Sequence, residues 1–239
     1  MASSSAFAGL VDLSTWSNEG GGNWVPQTTV SPNDSVLQTL NSDTTVFYNN
    51  QNSQGKSLSG KVKVQTGSDD DWFGFVLGYD AGDLSSATAD FILIDWKQGT
   101  QSGWDAGLAI SRVTGAMQSG GTSTNSPAWD HNGPVNFLQR GATLGNVGWQ
   151  DNVEYAFDIE FTSSNIKVFV DGVLQFDING TFEDGSFGFY NYSQPSVLYA
   201  AVEEDVLPPS TVPEPTSMAL LGMGLVGLGL SRRRSTKRS

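Results

Sequence analysis

Three consecutive carboxylates, Asp69-Asp70-Asp71, stand directly ahead of an apolar run from Trp72 to Tyr79. A hard cation wants several oxygen ligands, drawn from carboxylates, carbonyls and water. Successive side chains of a straight strand point to opposite faces, so a triplet of this kind converges only where the chain turns. The expected chemistry is a cation held at the mouth of a strand, with Asn41 and Asp43 as further oxygen donors from a nearby loop. The alternative is a solvated acidic turn that keeps a strand end from aggregating.

A second acidic set, Glu154, Asp158 and Glu160, shares parity and so projects from one side of a strand. Asp158 and Glu160 would sit roughly 6.5–7 Å apart, a loose fit to the two-carboxylate spacings of glycosidases, about 5–5.5 Å or about 6.5–9.5 Å. Ala156 occupies the place where such enzymes tend to put a further acid, and the competing reading is a polar outer face opposite Tyr155, Phe157, Ile159 and Phe161. Nucleophilic catalysis finds little support: His131 is the only His, and no Gly-x-Ser-x-Gly elbow precedes a helix. Trp104, Trp129 and Trp149 fall in loops, where they would either stack on sugar rings as ligand-binding residues or serve as core.

The elements that must position these residues are strands. Trp72 to Tyr79 and Phe91 to Gln98 are rich in aromatic and β-branched residues and bounded by Gly, Ser and Asp, which marks a central pair of strands. Leu58 to Gln65 and Val153 to Phe161 alternate with period two, as expected of antiparallel strands with one wet face. Asp171-Gly172 between the alternating runs Asn165 to Val170 and Val173 to Ile178 is a hairpin signal, because both turn residues tolerate positive φ. Short strands are also expected at Trp24-Val25, Val36 to Leu40, Thr44 to Tyr48, Leu108 to Val113, Val135 to Gln139, Gly185 to Tyr192 and Val197 to Val202, while Asn18 to Asn23 reads as a loop. Roughly a dozen strands and no useful helix predict an all-β sandwich or jelly roll.

Composition narrows the partners. With 12 Lys+Arg against 25 Asp+Glu the chain carries a net charge of -13, which repels nucleic-acid phosphates and excludes that class of partner. The 239 residues include no Cys, so disulfides and thiolate metal sites are ruled out and oxygen-rich metal sites remain. At the start, Ala6-Phe7-Ala8 has the small-x-small spacing accepted by signal peptidase, so residues 1–8 read as the remnant of a truncated signal peptide.

Several segments together resemble the C-terminal globular module of thrombospondins. They are Leu37-Gln38-Thr39-Leu40-Asn41-Ser42-Asp43, Asp69-Asp70-Asp71 with Gly74 to Tyr79, Trp96-Lys97-Gln98 with Gln101 and Trp104, Val147 to Asp151, and Gly188-Phe189 with Ser193-Gln194. The resemblance implies a concanavalin A-like jelly-roll β-sandwich over residues 9–205, calcium bound at the acidic turn, and adhesion or matrix contacts without catalysis. It also implies a structural Trp-His pair at His131. The Asp-rich repeats and cysteines of that family are absent here, so animal receptor binding is not carried over.

The remainder differs in composition. Residues 206–215 form a Pro-rich, extended linker that ends in Val212-Pro213-Glu214-Pro215; residues 216–239 hold an apolar Gly/Leu run and the basic end Arg232-Arg233-Arg234. This tail resembles a PEP-CTERM sorting signal. The run is short for a span, since about 20 apolar residues cross the hydrocarbon, and the Arg cluster favours a cytoplasmic C-terminus. The resemblance implies a single hydrophobic helix in the inner membrane, processing by an exosortase, a Gram-negative bacterium, and an exopolysaccharide or cell-surface glycan setting. Without the tail, seven Lys+Arg face 24 Asp+Glu, a net of -17. The expected function is thus that of an exported calcium-binding, lectin-like adhesion or biofilm-matrix protein. A secreted jelly-roll glycoside hydrolase and a structural matrix protein without ligand are the alternatives.

Overall fold

The structure, a computed structural model, describes residues 9–208 apart from 119, 121 and 125. The expected signal-peptide remnant, the Pro-Glu-Pro motif and the C-terminal helix lie outside these residues. A compact unit closes at Leu207, whose N–H donates to the Gly55 carbonyl, and a second unit begins at Pro208.

Fourteen strands make up the described part of the first unit. The first seven are β1 (Ser17–Gly20), β2 (Trp24–Gln27), β3 (Ser35–Gln38), β4 (Thr45–Tyr48), β5 (Lys56–Val64), β6 (Trp72–Tyr79) and β7 (Phe91–Lys97). Then come β8 (Gly107–Val113), the short helix α1 (Pro127–Asp130), β9 (Val135–Arg140), β10 (Glu154–Phe161), β11 (Asn165–Val170), β12 (Val173–Asn179), β13 (Ser186–Tyr192) and β14 (Val197–Val206). They form two antiparallel seven-stranded sheets. Sheet I runs β1-β4-β13-β6-β7-β8-β9 and sheet II runs β12-β11-β10-β5-β14-β3-β2. The all-β sandwich is as expected, with β6 and β7 at the middle of sheet I.

Alternation decides which side chains meet between the sheets. Phe73, Phe75 and Leu77 of β6, Ile92, Ile94 and Trp96 of β7, and Phe157, Ile159 and Phe161 of β10 all enter the central core. On sheet II most of the intervening residues of β5 and β10 are polar, and Lys61 of β5 pairs with Glu154 of β10 at 2.7 Å on the outer face. Asp171 and Gly172 have φ of 50° and 73°, as a tight hairpin between β11 and β12 requires.

Sheet I departs from that pattern. Its outer face is also buried, because Leu84, Ala89, Met117, Ala128 and Trp129, from the connections on either side of β7 and β8, pack over Trp72, Val76, Leu93, Tyr190 and Tyr192. α1 belongs to this roof; Pro127 opens it and Ser126 Oγ caps it by accepting the Trp129 N–H at 3.2 Å. β6, β7 and β13 therefore read as near-continuous apolar runs. β1, expected as part of a loop, is an edge strand of Ser, Asn, Glu and Gly paired to β4. It is held by backbone pairing to β4 and by polar bonds, such as Tyr79 O–H donating to Glu19 Oε2 at 2.6 Å, so it leaves no hydrophobic period in the sequence.

Candidate functional site

The Asp69–Asp71 turn lies where the chain enters β6, and backbone groups fix its path. Asp71 N–H donates to Gln194 Oε1 at 2.9 Å, the Asp71 carbonyl accepts Trp149 Nε1–H at 3.1 Å, and the Asp70 carbonyl accepts Gln98 N–H at 3.1 Å. The turn brings the three carboxylates together, with one oxygen of each within 4.8 Å of the others. Asp71 is buried, whereas Asp69 and Asp70 are half-buried. Desolvation, and after it the charge of Asp71, pushes the Asp69 carboxyl above the usual carboxylate range. Crowded carboxylates with unspent negative charge suit a hard cation.

Lys97 balances part of that charge from below. Its ammonium is fully buried, 2.6 Å from Asp71 Oδ1 and 3.8 Å from Asp70 Oδ1. It also donates to the Asp70 carbonyl at 3.3 Å and to Gln101 Oε1 at 3.2 Å, and it lies 4.4 Å from the centre of the Trp129 ring. One oxygen of Asp71 is thus already engaged, and the open side of the cluster is formed by Asp69 and Asp70.

The expected loop donors behave differently from the triplet. Asn41 sits against the turn, but its amide N–H donates to Asp69 Oδ2 while its Oδ1 accepts from Ser193 Oγ at 3.3 Å. It positions Asp69 and offers no oxygen to the cluster. Asp43 is not among the carboxylates that meet there; its Oδ1 accepts the Thr44 N–H at 2.7 Å. The expectation of both as ligands is corrected accordingly.

The expected saccharide-stacking Trp residues are also corrected. Trp129 and Trp149 are each 1 % exposed, the first packed in the roof of sheet I and the second in the central core. Trp104 is half-buried and stacks on His131, with ring centroids 3.9 Å apart, under the Arg140 guanidinium at 4.6 Å. Loop position carried no information about burial, because these loops fold back onto a sheet.

His131 is buried and packs against Trp72 and Trp104. Its Nε2 lies 2.9 Å from Asp95 Oδ2, and both side chains are fully buried. Asp95 and Lys97 were missed as buried charges, although their alternate spacing within an apolar strand put them on one face with Trp72 opposite Lys97. On the outer face of sheet II, Glu160 pairs with Lys167 at 3.3 Å and Glu154 with Lys61. Desolvation, then Glu160, raises the Asp158 carboxyl.

The segments that converge on the turn come from the whole length of the sandwich. Gln38 Nε2 donates to the Gln194 carbonyl at 3.0 Å, Ser193 N–H to the Ser42 carbonyl at 2.8 Å, and Gln98 Nε2 to Asp151 Oδ1 at 3.2 Å. Residues 24–206 match the family model of the thrombospondin C-terminal region. The chain belongs to the thrombospondin C-terminal family. Residues 211–234 match the PEP-CTERM protein-sorting motif, which implies exosortase processing of a secreted protein with a C-terminal membrane anchor. Among the described residues no helix is long and apolar enough to cross a membrane.

Relatives within the thrombospondin C-terminal family include Thrombospondin-4-B of Danio rerio, 28 % identical over 185 residues, and cartilage oligomeric matrix protein of Bos taurus, 26 % identical over 185 residues. Each match covers 69 % of this chain but only 18 % and 23 % of those proteins, so the chain spans about a fifth of their length. In fold it is similar to the carbohydrate binding module CBM66 from Bacillus subtilis, with a TM-score of 0.55, 11 % identity, and 80 % and 95 % of the two chains covered. It is likewise similar to the carbohydrate recognition domain of Emp46p in its metal-free form, with a TM-score of 0.53, 12 % identity, and 82 % and 90 % covered.

Proposed function

We propose that this chain is an exported, calcium-binding, lectin-like module without catalytic activity, serving surface adhesion or the extracellular matrix of a Gram-negative bacterium. The observation that carries the reading is the meeting of the Asp69, Asp70 and Asp71 carboxylates within 4.8 Å. These three residues would hold the ion, with water completing the shell, and Asn41 would keep Asp69 in place. When bound, calcium would neutralise the turn and lock the entry to β6.

Family membership and the sorting motif support the adhesion and matrix setting, with an exosortase and an exopolysaccharide or surface glycan as partners. The absence of catalysis is supported by the state of the acids on β10. Two of the three are held in ion pairs with lysines, which suits a binding or structural face better than general acid and base work. Calorimetric titration of the full chain with calcium tests the metal reading. Binding that weakens at least about tenfold in Asp70→Asn is expected, and a flat titration in the wild type rejects it.

A further inference from the structure

The outer face of sheet II is the one broad face of the sandwich that no described segment covers, and it is chemically uneven. Strand register places Phe169 of β11, Asp158 of β10, Ser59 of β5 and Glu203 of β14 side by side in one row. The next row carries Glu160, Ser57 and Asp205. A groove of about 320 Å³ lies at the β10–β11 end of these rows, lined by Ala156, Phe157, Asp158, Glu160, Phe169 and Gly172.

Glu160 has Lys167 as its counter-ion, but Asp158, Glu203 and Asp205 have no cationic partner among the described residues. Asp158 and Glu203 are separated by a single intervening strand, hence by two strand spacings, or about 10 Å. The groove, with the two rows that run from it across β5 to β14, thus brings together a half-buried aromatic ring, two Ser hydroxyls and carboxylates that lack a lysine or arginine partner. A ring face gives stacking area, the hydroxyls and carboxylates accept hydrogen bonds from sugar hydroxyls, and uncompensated negative charge selects a cation.

We propose that this face binds a saccharide chain carrying free amines, with the ring of Phe169 under one sugar and Asp158 and Glu203 taking its ammonium groups. The proposal rests on the reading of the chain as an exported surface protein in a polysaccharide setting. It does not require the metal, since the Asp69–Asp71 turn belongs to the connection from β5 into β6 and the groove to β10 and β11.

The test is calorimetric titration of the full chain with a glucosamine hexamer, its fully N-acetylated counterpart and a lysine hexamer, each with calcium and with a chelator. The expected result is binding of the glucosamine hexamer, at least about tenfold weaker for the N-acetylated form and weakened by salt, in calcium and in chelator alike. Asp158→Asn together with Glu203→Gln is expected to weaken it at least about tenfold, and Phe169→Ala to weaken it while leaving the melting temperature unchanged. Equal binding of the N-acetylated hexamer, no binding of the glucosamine hexamer, an undiminished affinity in the folded double variant, or preference for the lysine hexamer each overturns the proposal. Chromatography of the recovered hexamer separates this from the function above: cleavage would reject the non-catalytic reading and leave the binding face standing.

Discussion

Lys97 of β7 and Asp71 at the entry to β6 form an ion pair at 2.6 Å, with the lysine fully buried beneath the acidic turn. Removing one partner of such a pair leaves an uncompensated buried charge, at a cost of about 3–5 kcal/mol. Lys97→Met is therefore expected to lower the urea midpoint sharply. It also removes the positive charge nearest the carboxylates, so millimolar calcium should restore more stability to the variant than it adds to the wild type. Denaturation curves with calcium and with chelator measure both effects.

Gly99 faces the same turn from the far side. A Cβ there would fall 2.5 Å from Asp70 Oδ2 and 3.5 Å from its Cγ. The obstacle is the end of a mobile side chain, so Gly99→Ala is expected to fold with a loss under about 1 kcal/mol. It must swing the Asp70 carboxylate away from its neighbours, and calcium affinity should drop several-fold. A titration that shows wild-type calcium affinity in this variant would remove Asp70 from the ligand set.

Asp34, fully buried in the turn before β3, gives the protein an acid sensitivity unrelated to the metal. Burial is the largest influence on it and pushes its carboxyl up, but the N–H groups of Thr29, Ser31 and Val30 and the Ser35 hydroxyl together outweigh burial and hold it well below the usual range. A group depressed in the folded state stabilises the fold above its unfolded value, about 3.9, and that stabilisation is lost as pH falls through and below it. Asp34→Asn is expected to cost on the order of 3 kcal/mol at neutral pH. Urea midpoints from pH 7 to pH 3 should fall less steeply in the variant than in the wild type.

Of the seven Trp, six are buried and only Trp104 is half-exposed. Intrinsic fluorescence should accordingly be blue-shifted and weakly quenched by acrylamide, and Trp104→Phe should abolish most of the quenchable fraction. Strong quenching that survives in Trp104→Phe would place another indole at the surface.

How far the sequence discloses this molecule follows from where each side chain finds its partners. β5, β10 and β11 are legible because sheet II has one wet face, so burial alternates along the strands themselves, and β12 is legible from the Asp171-Gly172 turn that precedes it. The acidic triplet is legible as a turn because it precedes an unbroken apolar strand. The assignment of Trp149 fails because nothing local states that the connection before β10 sends its indole into the core between the sheets, and that of Trp129 because nothing local states that the connection after β8 returns to cover sheet I. Lys97 and Asp95 look like outward charges for the same reason, and their partners Asp71 and His131 lie 26 and 36 residues away. Asn41 illustrates a finer limit, since residue type names a possible oxygen donor while only the fold decides which end of the amide faces the carboxylate.

The bonds around the Asp69–Asp71 turn also set an order of assembly. Gln38 and Gln194, which together frame it, are 156 positions apart, and Gln194 reaches Asp71 across 123. Contacts of such separation form late, after most loop-closure entropy has been spent. A chain delivered N-terminus first would present its acids long before the last strands arrive to gather them. A metal ion held there would act as a seal on the finished molecule.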